Sequence, residues 1–306
     1  MTPTAGATLF ARMSAQGAVL IIGAGGRMGA ALARRLAHSR EVTGFRREHL
    51  DVLHPERMRD ALAAHDFQTV IYTAGITSVD ECEIHPRDAE LSNTETPRAI
   101  AQACRERGAH FIHVSTDYVF KGDDPRSRTE DDLAEPINIY GRTKLEGERA
   151  VLAVLQDFLV LRVSWLFGPD RKSFPDMILE RAQNFDHVEA VSDKHSCPTY
   201  SEDLAEWVEL LLDNPNAKGV IHLSNGGSTS WQAYGQAALD IASEIGVPLR
   251  TKNVAPVSRM NLPAFKAERP EFTAFDTTKF SRLTGITPRP WREALEEYLR
   301  KKLTSR

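Results

Sequence analysis

The stretch AVLIIGAGGRMGAALARRLA, residues 18–37, decides the fold. It opens with a continuous apolar run, residues 18–22, which is typical of a parallel strand buried on both faces. Glycines follow at positions 23, 26 and 29, and the alanine- and leucine-rich segment after them has the composition of a helix. A strand, a glycine turn and a helix in this order predict a dinucleotide-binding site.

Each glycine of this turn has a predicted role. Gly23 would permit the tight turn, Gly26 would let a pyrophosphate approach the backbone amides, and Gly29 would let the helix pack on the strand. The helix N-terminus would favour the phosphate charge. The spacing differs from G-x-G-x-x-G, so a purely structural turn is the alternative interpretation.

The next predicted strand, residues 41–45, ends in Arg46 and Arg47. Folds that select NAD usually place an acid here for the ribose 2′-hydroxyl, whereas arginine suits the 2′-phosphate of NADP. The sequence therefore favours NADPH, with NADH as the alternative cofactor. Arginines that merely end a surface strand are an equally weighted interpretation.

The rest of the chain continues the alternation of strands and helices. Apolar strands are predicted at residues 69–72, 110–114 and 158–163, with helical segments between them. This rhythm predicts an α/β fold, a Rossmann-type doubly wound parallel sheet covered on both faces. We predict a flexible N-terminal extension (1–17), a dinucleotide-binding domain (18–166) and a smaller α/β domain (167–306) that mainly binds substrate, some segments of which return to the sheet.

Composition excludes several classes of protein. The 306 residues carry a net charge of −4, which gives no reason to expect nucleic acid or an anionic membrane as a partner. No apolar run approaches the ~20 residues of a membrane span. The cysteines at 82, 104 and 197 lack metal-ligand spacing, so we predict a reduced, cytoplasmic protein without a metal site of its own.

Residues that suit proton transfer lie between positions 113 and 147. Ser115, Thr116 and Asp117 end an apolar run, and Tyr140 and Lys144 are spaced to share one face of a helix. An ammonium beside a phenol would lower the phenol pKa from its usual ~10. A hydroxyl of Thr116 or Ser115 would bond the same substrate oxygen. The pattern predicts proton transfer at a carbonyl or alcohol oxygen, and its alternative is an exposed tyrosine beside a surface lysine.

The motifs in their order resemble the extended short-chain dehydrogenase/reductases, and within that family they are similar to the dTDP-4-dehydrorhamnose reductases. They cover nearly everything from Val19 onward: GxxGxxG, STDYVF, YGRTKLEGE, LRVSWLFGP, CPTYSEDLA, FDTTK and PRPWREAL. The resemblance implies NADPH-dependent reduction of the C4 keto group of dTDP-4-dehydro-L-rhamnose. It also implies a nucleotide-sugar partner and leaves a homodimer open. Some relatives bind Mg²⁺, but no carboxylate cluster in this sequence suggests a site for it.

The resemblance also implies roles for individual residues. Tyr140 matches the proton donor, Lys144 the lysine that holds the nicotinamide ribose, and Thr116 the hydroxyl that bonds the reacting oxygen. Thr116, Asp117 and Trp165 are the predicted substrate contacts, and Asn93 resembles an asparagine that links the site to a proton-relay water. Together with the arguments above, the predicted cofactor-binding residues are Gly23, Gly26, Arg27, Met28, Gly29, Arg46, Asp51, Val52, Gly75, Ile76, Thr77, Ser115, Tyr140 and Lys144.

Departures from the family pattern lie near the cofactor. Ile22 and Arg27 stand where relatives commonly carry Thr and Gln, and residues 72–75 read YTAG instead of NAAA. Cofactor preference and pocket shape therefore stay open. Two alternatives to the predicted activity also stay open. One is a reductase or epimerase of another nucleotide sugar, and the other is a non-catalytic dinucleotide-binding protein like the regulatory subunit of methionine adenosyltransferase.

Overall fold

The computed structural model describes residues 17–154, 158–262 and 265–304, so the predicted extension lies outside it except for Gly17. Within these ranges the strands are β1 (Val19–Ile22), β2 (Val42–Phe45), β3 (Thr69–Tyr72), β4 (His110–Thr116), β5 (Leu159–Val163), β6 (Leu166–Phe167), β7 (Val188–Val191), β8 (His195–Ser196), β9 (Thr199–Tyr200), β10 (Gly219–Leu223), β11 (Thr229–Ser230) and β12 (Val254–Val257).

The helices alternate with these strands. They are α1 (Arg27–Leu36), α2 (Met58–Ala63), α3 (Val79–Ile84), α4 (Pro86–Glu90), α5 (Thr96–Arg107), α6 (Ile139–Val154), α7 (Phe174–Asn184), α8 (Ser201–Leu212), α9 (Trp231–Glu244), α10 (Thr278–Thr284) and α11 (Trp291–Thr304). A turn of π-helix, Leu91–Glu95, joins α4 to α5. Single 3₁₀ turns occur at Pro55–Arg57, Asp117–Val119 and Arg259–Asn261.

One parallel sheet organises the chain, with the strand order β10-β5-β4-β3-β1-β2. From β1 the chain moves outward to β2 and then crosses to β3 on the other side of β1, where Val19 pairs with both Val42 and Thr69. Sites in such sheets form beyond the carboxyl ends of the strands at this reversal of direction. The predicted α/β fold with a parallel sheet is confirmed.

Helices cover both faces of the sheet because successive strand residues point to opposite faces and are apolar on both. Ile21 and Leu161 face a core formed with α1, α8 and α10, whereas Leu20 and Val160 face a core formed with α2, α5 and α6. Both faces are therefore buried, as the continuous apolar strands of the sequence predict.

The C-terminal half of the chain contributes to two parts of the molecule. β10 pairs in parallel with β5 at one end of the sheet, with Gly219 opposite Leu159. The helices α7, α9 and α11 instead enclose a separate aromatic and aliphatic core with β7 and β12. The position at which a cofactor domain would divide from a substrate domain stays a prediction.

The structure differs from the sequence predictions in local detail. The helix expected over residues 86–107 is interrupted by the π turn, and α3 precedes it where no helix was expected. The two-residue strands β6, β8, β9 and β11 are too short for a hydrophobic period to reveal them.

Two searches of the described part of the chain give negative results. No described helix is long and apolar enough to cross a membrane. No group of three or more His, Cys, Asp or Glu side chains in the described ranges is placed to share a metal ion.

Candidate active site

The glycine turn after β1 is built as tightly as its sequence predicts. Gly23 has a φ of +100°, and a Cβ there would lie 2.6 Å from Thr73 Oγ1 at the end of β3. A Cβ on Gly29 would overlap the Gly23 carbonyl oxygen, so only glycine lets α1 approach the turn. Gly26 stands at the N-cap of α1, and no side chain caps the helix there. The turn therefore fits a dinucleotide phosphate.

Three other predicted cofactor residues lie around this turn. The aliphatic part of Arg46 lies beside Gly25, where a Cβ would meet Arg46 Cγ at 3.5 Å. The Met28 side chain is buried in the core, so only its backbone can face the turn. Arg27 donates to the carbonyl oxygens of Arg171 (3.3 Å) and Lys172 (3.0 Å). Its guanidinium thus ties the turn to the segment before α7.

The predicted adenine-side and nicotinamide-side residues follow β2 and β3, the strands on either side of β1. Asp51 Oδ1 accepts from the Leu53 amide at 3.0 Å, and the Val52 carbonyl oxygen accepts from Thr96 at 2.7 Å. Gly75 follows β3 with a φ of +139°, and Thr77 two residues later is exposed. These residues continue the open edge that begins at the glycine turn.

Tyr140 and Lys144 lie on one face of α6, as their spacing predicts. Tyr140 is 8 % exposed and Lys144 is 4 % exposed, so neither is the surface residue of the alternative interpretation. Lys144 Nζ donates to the Val114 carbonyl oxygen of β4. The helix begins at Ile139 because Asn138 Oδ1 accepts from the Gly141 amide at 2.8 Å and so caps the first turn.

The electrostatics of the tyrosine differ from the sequence prediction. Burial raises the pKa of the Tyr140 phenol, and a hydrogen bond with Thr116 only partly offsets that effect. Burial also lowers the pKa of Lys144 to about 8, against the opposing charge of Glu148. The ammonium is held by a strand carbonyl, and the phenol stays protonated throughout the neutral range. Tyr140 therefore carries its proton at neutral pH.

Asn93 occupies the centre of the π turn and joins three segments. Its side-chain amide donates to the Ile76 carbonyl oxygen at 3.1 Å and to Thr143 Oγ1 at 3.2 Å. A Cβ on Gly75 would lie 2.5 Å from Asn93 Oδ1. The widened helical turn thus brings Asn93 between the end of β3 and the helix that carries Tyr140, and π turns are frequent at functional sites.

Ser115 does not face the same space as Thr116. Its hydroxyl donates to Glu148, and Glu148 forms a buried ion pair with Arg162 of β5 at 2.7 Å. Burial, with the charge of Arg162, lowers the pKa of the adjacent His222 to about 3, so this histidine is neutral. The Ser115 side chain therefore belongs to a network behind the sheet edge, and only its backbone can contribute to the predicted cofactor site.

Thr116 and Asp117 lie close to the Tyr140 phenol and both affect its pKa. Thr116 Oγ1 donates to Asp117 Oδ1 at 3.2 Å and accepts from the Tyr118 amide at 3.3 Å. The rings of Tyr118 and Tyr140 meet edge to face with centroids 5.6 Å apart. Asp117 Oδ2 also accepts from Thr273, a buried residue of the C-terminal half.

Trp165 is placed by an unusual backbone. Its φ of +43° makes it the only non-glycine residue with positive φ in the described ranges. For a bulky residue this conformation is strained and is a pattern seen at functional sites. Its indole contacts Phe174, Trp231 and Tyr234 at centroid distances of 5.4, 5.6 and 4.8 Å. The half-buried rings of Trp165, Phe174 and Trp231 thus form an aromatic wall.

Several residues at this site were missed from the sequence. Thr273 bonds Asp117, Tyr118 packs on Tyr140, and Lys194 contacts both Thr273 and Tyr118. Asp80 binds the segment that follows Phe265. Tyr118 could have been found from the sequence, because it lies within the STDYVF motif. Thr273 and Lys194 carry none, because they join the site through tertiary packing of short irregular segments.

The sequence matches the family described as "RmlD substrate binding domain" over residues 17–304. A Streptomyces antibioticus protein described as a probable dTDP-4,6-dihydroxy-2-methyloxan-3-one 4-ketoreductase is 37% identical over 283 residues, which cover 91% of this chain and 93% of that protein. The dTDP-4-dehydrorhamnose reductase of Streptomyces griseus is 36% identical, covering 91% of both chains.

A similar solved structure is the dTDP-4-dehydrorhamnose reductase of Bacillus anthracis in complex with NADP. Its TM-score is 0.86 at 29% identity, and the match covers 94% of this chain and 99% of that one. The predicted resemblance is confirmed, and the chain belongs to the RmlD substrate binding domain family.

Proposed function

We propose that the protein is an NADPH-dependent reductase that converts the C4 keto group of dTDP-4-dehydro-L-rhamnose to the alcohol of dTDP-L-rhamnose. The observation that carries the proposal is the convergence of Thr116, Tyr140 and Lys144 at the same edge of the sheet as the glycine turn. The names of relatives at 36% and 37% identity over nine-tenths of the chain support the same reaction type.

The residues of the chain supply the proton and the electrostatic environment. Tyr140 is protonated at neutral pH and gives its phenolic proton to the C4 oxygen as that oxygen gains charge. Thr116, whose hydroxyl donates to Asp117 in this structure, would turn that hydroxyl to the same oxygen and fix its position. The Lys144 ammonium, buried one helical turn away, stabilises the phenolate that the transfer leaves behind.

The cofactor fits the edge formed by Gly23, Gly26 and Gly29, since a side chain at the first or last of these would fill the turn. When bound, the nicotinamide supplies hydride to C4. Arg46 beside the turn would meet the 2′-phosphate of NADPH. Lys144 would hold the nicotinamide ribose, with Gly75 and Ile76 beside it.

The substrate would lie between this edge and the aromatic wall. Asp117 would accept from a sugar hydroxyl, and the Trp165 indole would pack on the sugar ring. Residues 167–306, apart from α8, β10 and α10, which join the parallel sheet and its core, would then form most of the substrate domain. A second candidate substrate is another dTDP-linked 4-keto sugar, which the name of the 37% identical relative favours.

The substitution Tyr140→Phe tests the proposed function. It should lower turnover of dTDP-4-dehydro-L-rhamnose by roughly 10²–10⁴-fold, because the phenol supplies the proton. Binding of NADPH, measured by calorimetry, should change little. A matched control is Tyr298→Phe, a buried tyrosine in α11 that bonds Asp176 at 2.8 Å, whose loss should lower stability but not turnover.

Substrate identity is tested with a panel of nucleotide-linked 4-keto sugars and with both cofactors. Rapid NADPH oxidation that yields dTDP-L-rhamnose would establish the proposed reaction. Faster turnover of another keto sugar would move the assignment to the second candidate. NADPH binding without turnover on any sugar would favour a non-catalytic dinucleotide-binding protein and contradict the proposal.

A further inference from the structure

Lys194 is a buried lysine that has no part in the proposed proton and hydride transfer. It lies in the connection between β7 and β8, is 1 % exposed, and its ammonium donates to Ser196 Oγ at 3.1 Å and Thr273 Oγ1 at 3.0 Å. A charged group in such a place costs free energy unless an opposite charge compensates it.

The compensating charge lies one hydroxyl away. Thr273 accepts from Lys194 and donates to Asp117 Oδ2, so a single side chain bridges the ammonium and the carboxylate. Asp117 Oδ1 in turn accepts from Thr116, the residue proposed to bond the reacting oxygen. In the described part of the chain, neither Lys194 nor Asp117 forms a direct ion pair.

The neighbouring arginines are committed to other acids. Arg269 bonds Asp80 at 2.6 Å, and Arg259 bonds Glu271 at 3.0 Å. Both arginines lower the pKa of Lys194, whereas Asp117 raises it; burial is the largest cause, and the resulting pKa is about 8. Lys194 is thus mainly protonated at pH 7, and Thr273 links its ammonium to Asp117.

A second contact connects Lys194 to the proton donor. Its Nζ lies 5.0 Å from the centroid of the Tyr118 ring, in the range of a cation–π interaction. Tyr118 itself packs edge to face on Tyr140. The same buried ammonium therefore supports both sides of the site, the carboxylate through Thr273 and the phenol through Tyr118.

We propose that Lys194 is a positioning residue that fixes Asp117 through Thr273 and balances its charge while the C4 oxygen becomes negative. This inference rests on the proposed reduction. Asp117 follows Thr116 directly, so an uncompensated carboxylate would oppose negative charge on the oxygen that Thr116 bonds. With Lys194 in place, Asp117 can accept from a sugar hydroxyl without that cost.

A double-mutant cycle in the full chain tests the inference. Lys194→Met should lower kcat with dTDP-4-dehydro-L-rhamnose at least tenfold while KM rises less than threefold, because the lost charge acts on the transition state. Asp117→Asn should lower kcat in the wild-type background. In the Lys194→Met background it should leave kcat unchanged or raise it, because the charge that needed balancing is gone.

The same four proteins also give a readout that requires no substrate. The midpoint of urea unfolding should fall with Lys194→Met, and Asp117→Asn should restore part of that loss. Lys279→Met is the control, since Lys279 bonds the Val220 carbonyl oxygen on the sheet edge and contacts no site residue. It should leave kcat unchanged.

The outcomes separate the inference from the proposed function. If wild type reduces the sugar and the two substitutions are additive in kcat, the inference is wrong and the function stands. If wild type reduces no keto sugar, the proposed function fails, and the unfolding midpoints alone decide whether Lys194 and Asp117 are coupled. Additive midpoints would overturn the coupling.

Discussion

Lys144 combines a positive charge with near-complete burial, and this combination sets a pH limit on the site. Burial lowers its pKa from 10.5 to about 8, so the ammonium is present below that pH and is lost above it. If the charge stabilises the phenolate of Tyr140, kcat/KM should fall as pH rises through about 8.

The pH profile can be assigned to Lys144 with one further variant. Lys194 has a similar pKa, but the fall near pH 8 should persist in Lys194→Met, because Lys144 is still present. A profile that stays flat from pH 7 to pH 9 would contradict the role of Lys144. The contribution of Lys144 to the free energy of unfolding should rise with pH between about 8 and 10.5, since the unfolded chain then keeps a proton on this lysine that the folded chain has lost.

Arg46 is the residue at which cofactor preference should be decided. Arg46→Ala should raise KM for NADPH about tenfold or more and leave KM for NADH within twofold, because only the 2′-phosphate contact is removed. Arg47→Ala is the matched control: it is the next residue, also exposed, and should change neither value. Equal effects of the two substitutions would indicate a general electrostatic attraction instead of a specific contact.

At this scale the sequence predicted residue types better than side-chain directions. The four-residue spacing of Tyr140 and Lys144 placed both on one helix face, because helical geometry leaves no other choice. Ser115 and Thr116 were interchangeable as hydroxyl donors in the sequence, and only the pairing of Ser115 with Glu148 separates them. Lys194 was not predictable, since its partner Thr273 lies 79 residues away.

Among the elements, the contact between α6 and the π turn leaves no room for added volume. A Cβ on Gly147 would overlap the Asn93 carbonyl oxygen, and backbone cannot rotate away as a side chain can. Gly147→Ala should therefore lower the free energy of unfolding by about 1–3 kcal/mol. It should also lower turnover, because α6 carries Lys144 one turn earlier.

A second helical glycine provides the control. Gly235 in α9 is buried too, but a Cβ there would meet only side-chain atoms, the nearest being Ile178 methyl and methylene carbons at 3.4 Å. Gly235→Ala should be neutral or stabilise by up to about 1 kcal/mol, because alanine favours the helix. Urea unfolding of the two variants measures the contrast, and equal losses would show that any alanine in a buried helix is harmful here.

The π turn itself was beyond the reach of sequence patterns. Residues 86–107 carry a helical period with no proline or glycine at the turn, so one continuous helix was predicted. The extra residue of the turn is explained by tertiary contacts, in which Asn93 reaches Ile76 and Thr143. Hydrogen bonds between distant segments leave no periodic signal.

In the whole molecule, both halves of the chain contribute strands to the parallel sheet and side chains to the core on one of its faces. Trp207 and Leu204 of α8 pack in the same cluster as Leu161 of β5 and Leu32 of α1. Ion pairs between Arg35 and Glu209 and between Arg40 and Asp213 join α1 to the α8 region. The chain should therefore unfold as one cooperative unit in spite of its predicted two-domain organisation.

Two probes test this cooperativity. All four tryptophans lie at position 165 or later, so their fluorescence reports on the C-terminal half, whereas far-ultraviolet circular dichroism reports on the entire chain. The two urea transitions should coincide. A fragment of residues 1–166 should lack a cooperative transition, because it exposes β5 and half of one core. Separate transitions, or a fragment that unfolds cooperatively, would contradict the shared core.

The fold class followed from the sequence because parallel strands and covering helices leave strong, repeated patterns. The return of β10 to the sheet was anticipated only in general terms, since strand pairing over a long intervening segment depends on the finished tertiary structure. The aromatic wall was likewise predicted only at Trp165, because Trp231 and Phe174 come from separate helices.

The late arrival of β10 has a consequence for synthesis on the ribosome. The outer edge of β5 has no partner until Gly219–Leu223 has been translated, roughly sixty residues later. At about 5–20 residues per second, that edge is exposed for roughly 3–12 s in every nascent chain. An unpaired, apolar strand edge can pair with other chains, so crowded polysomes should be the setting in which this protein depends most on chaperones.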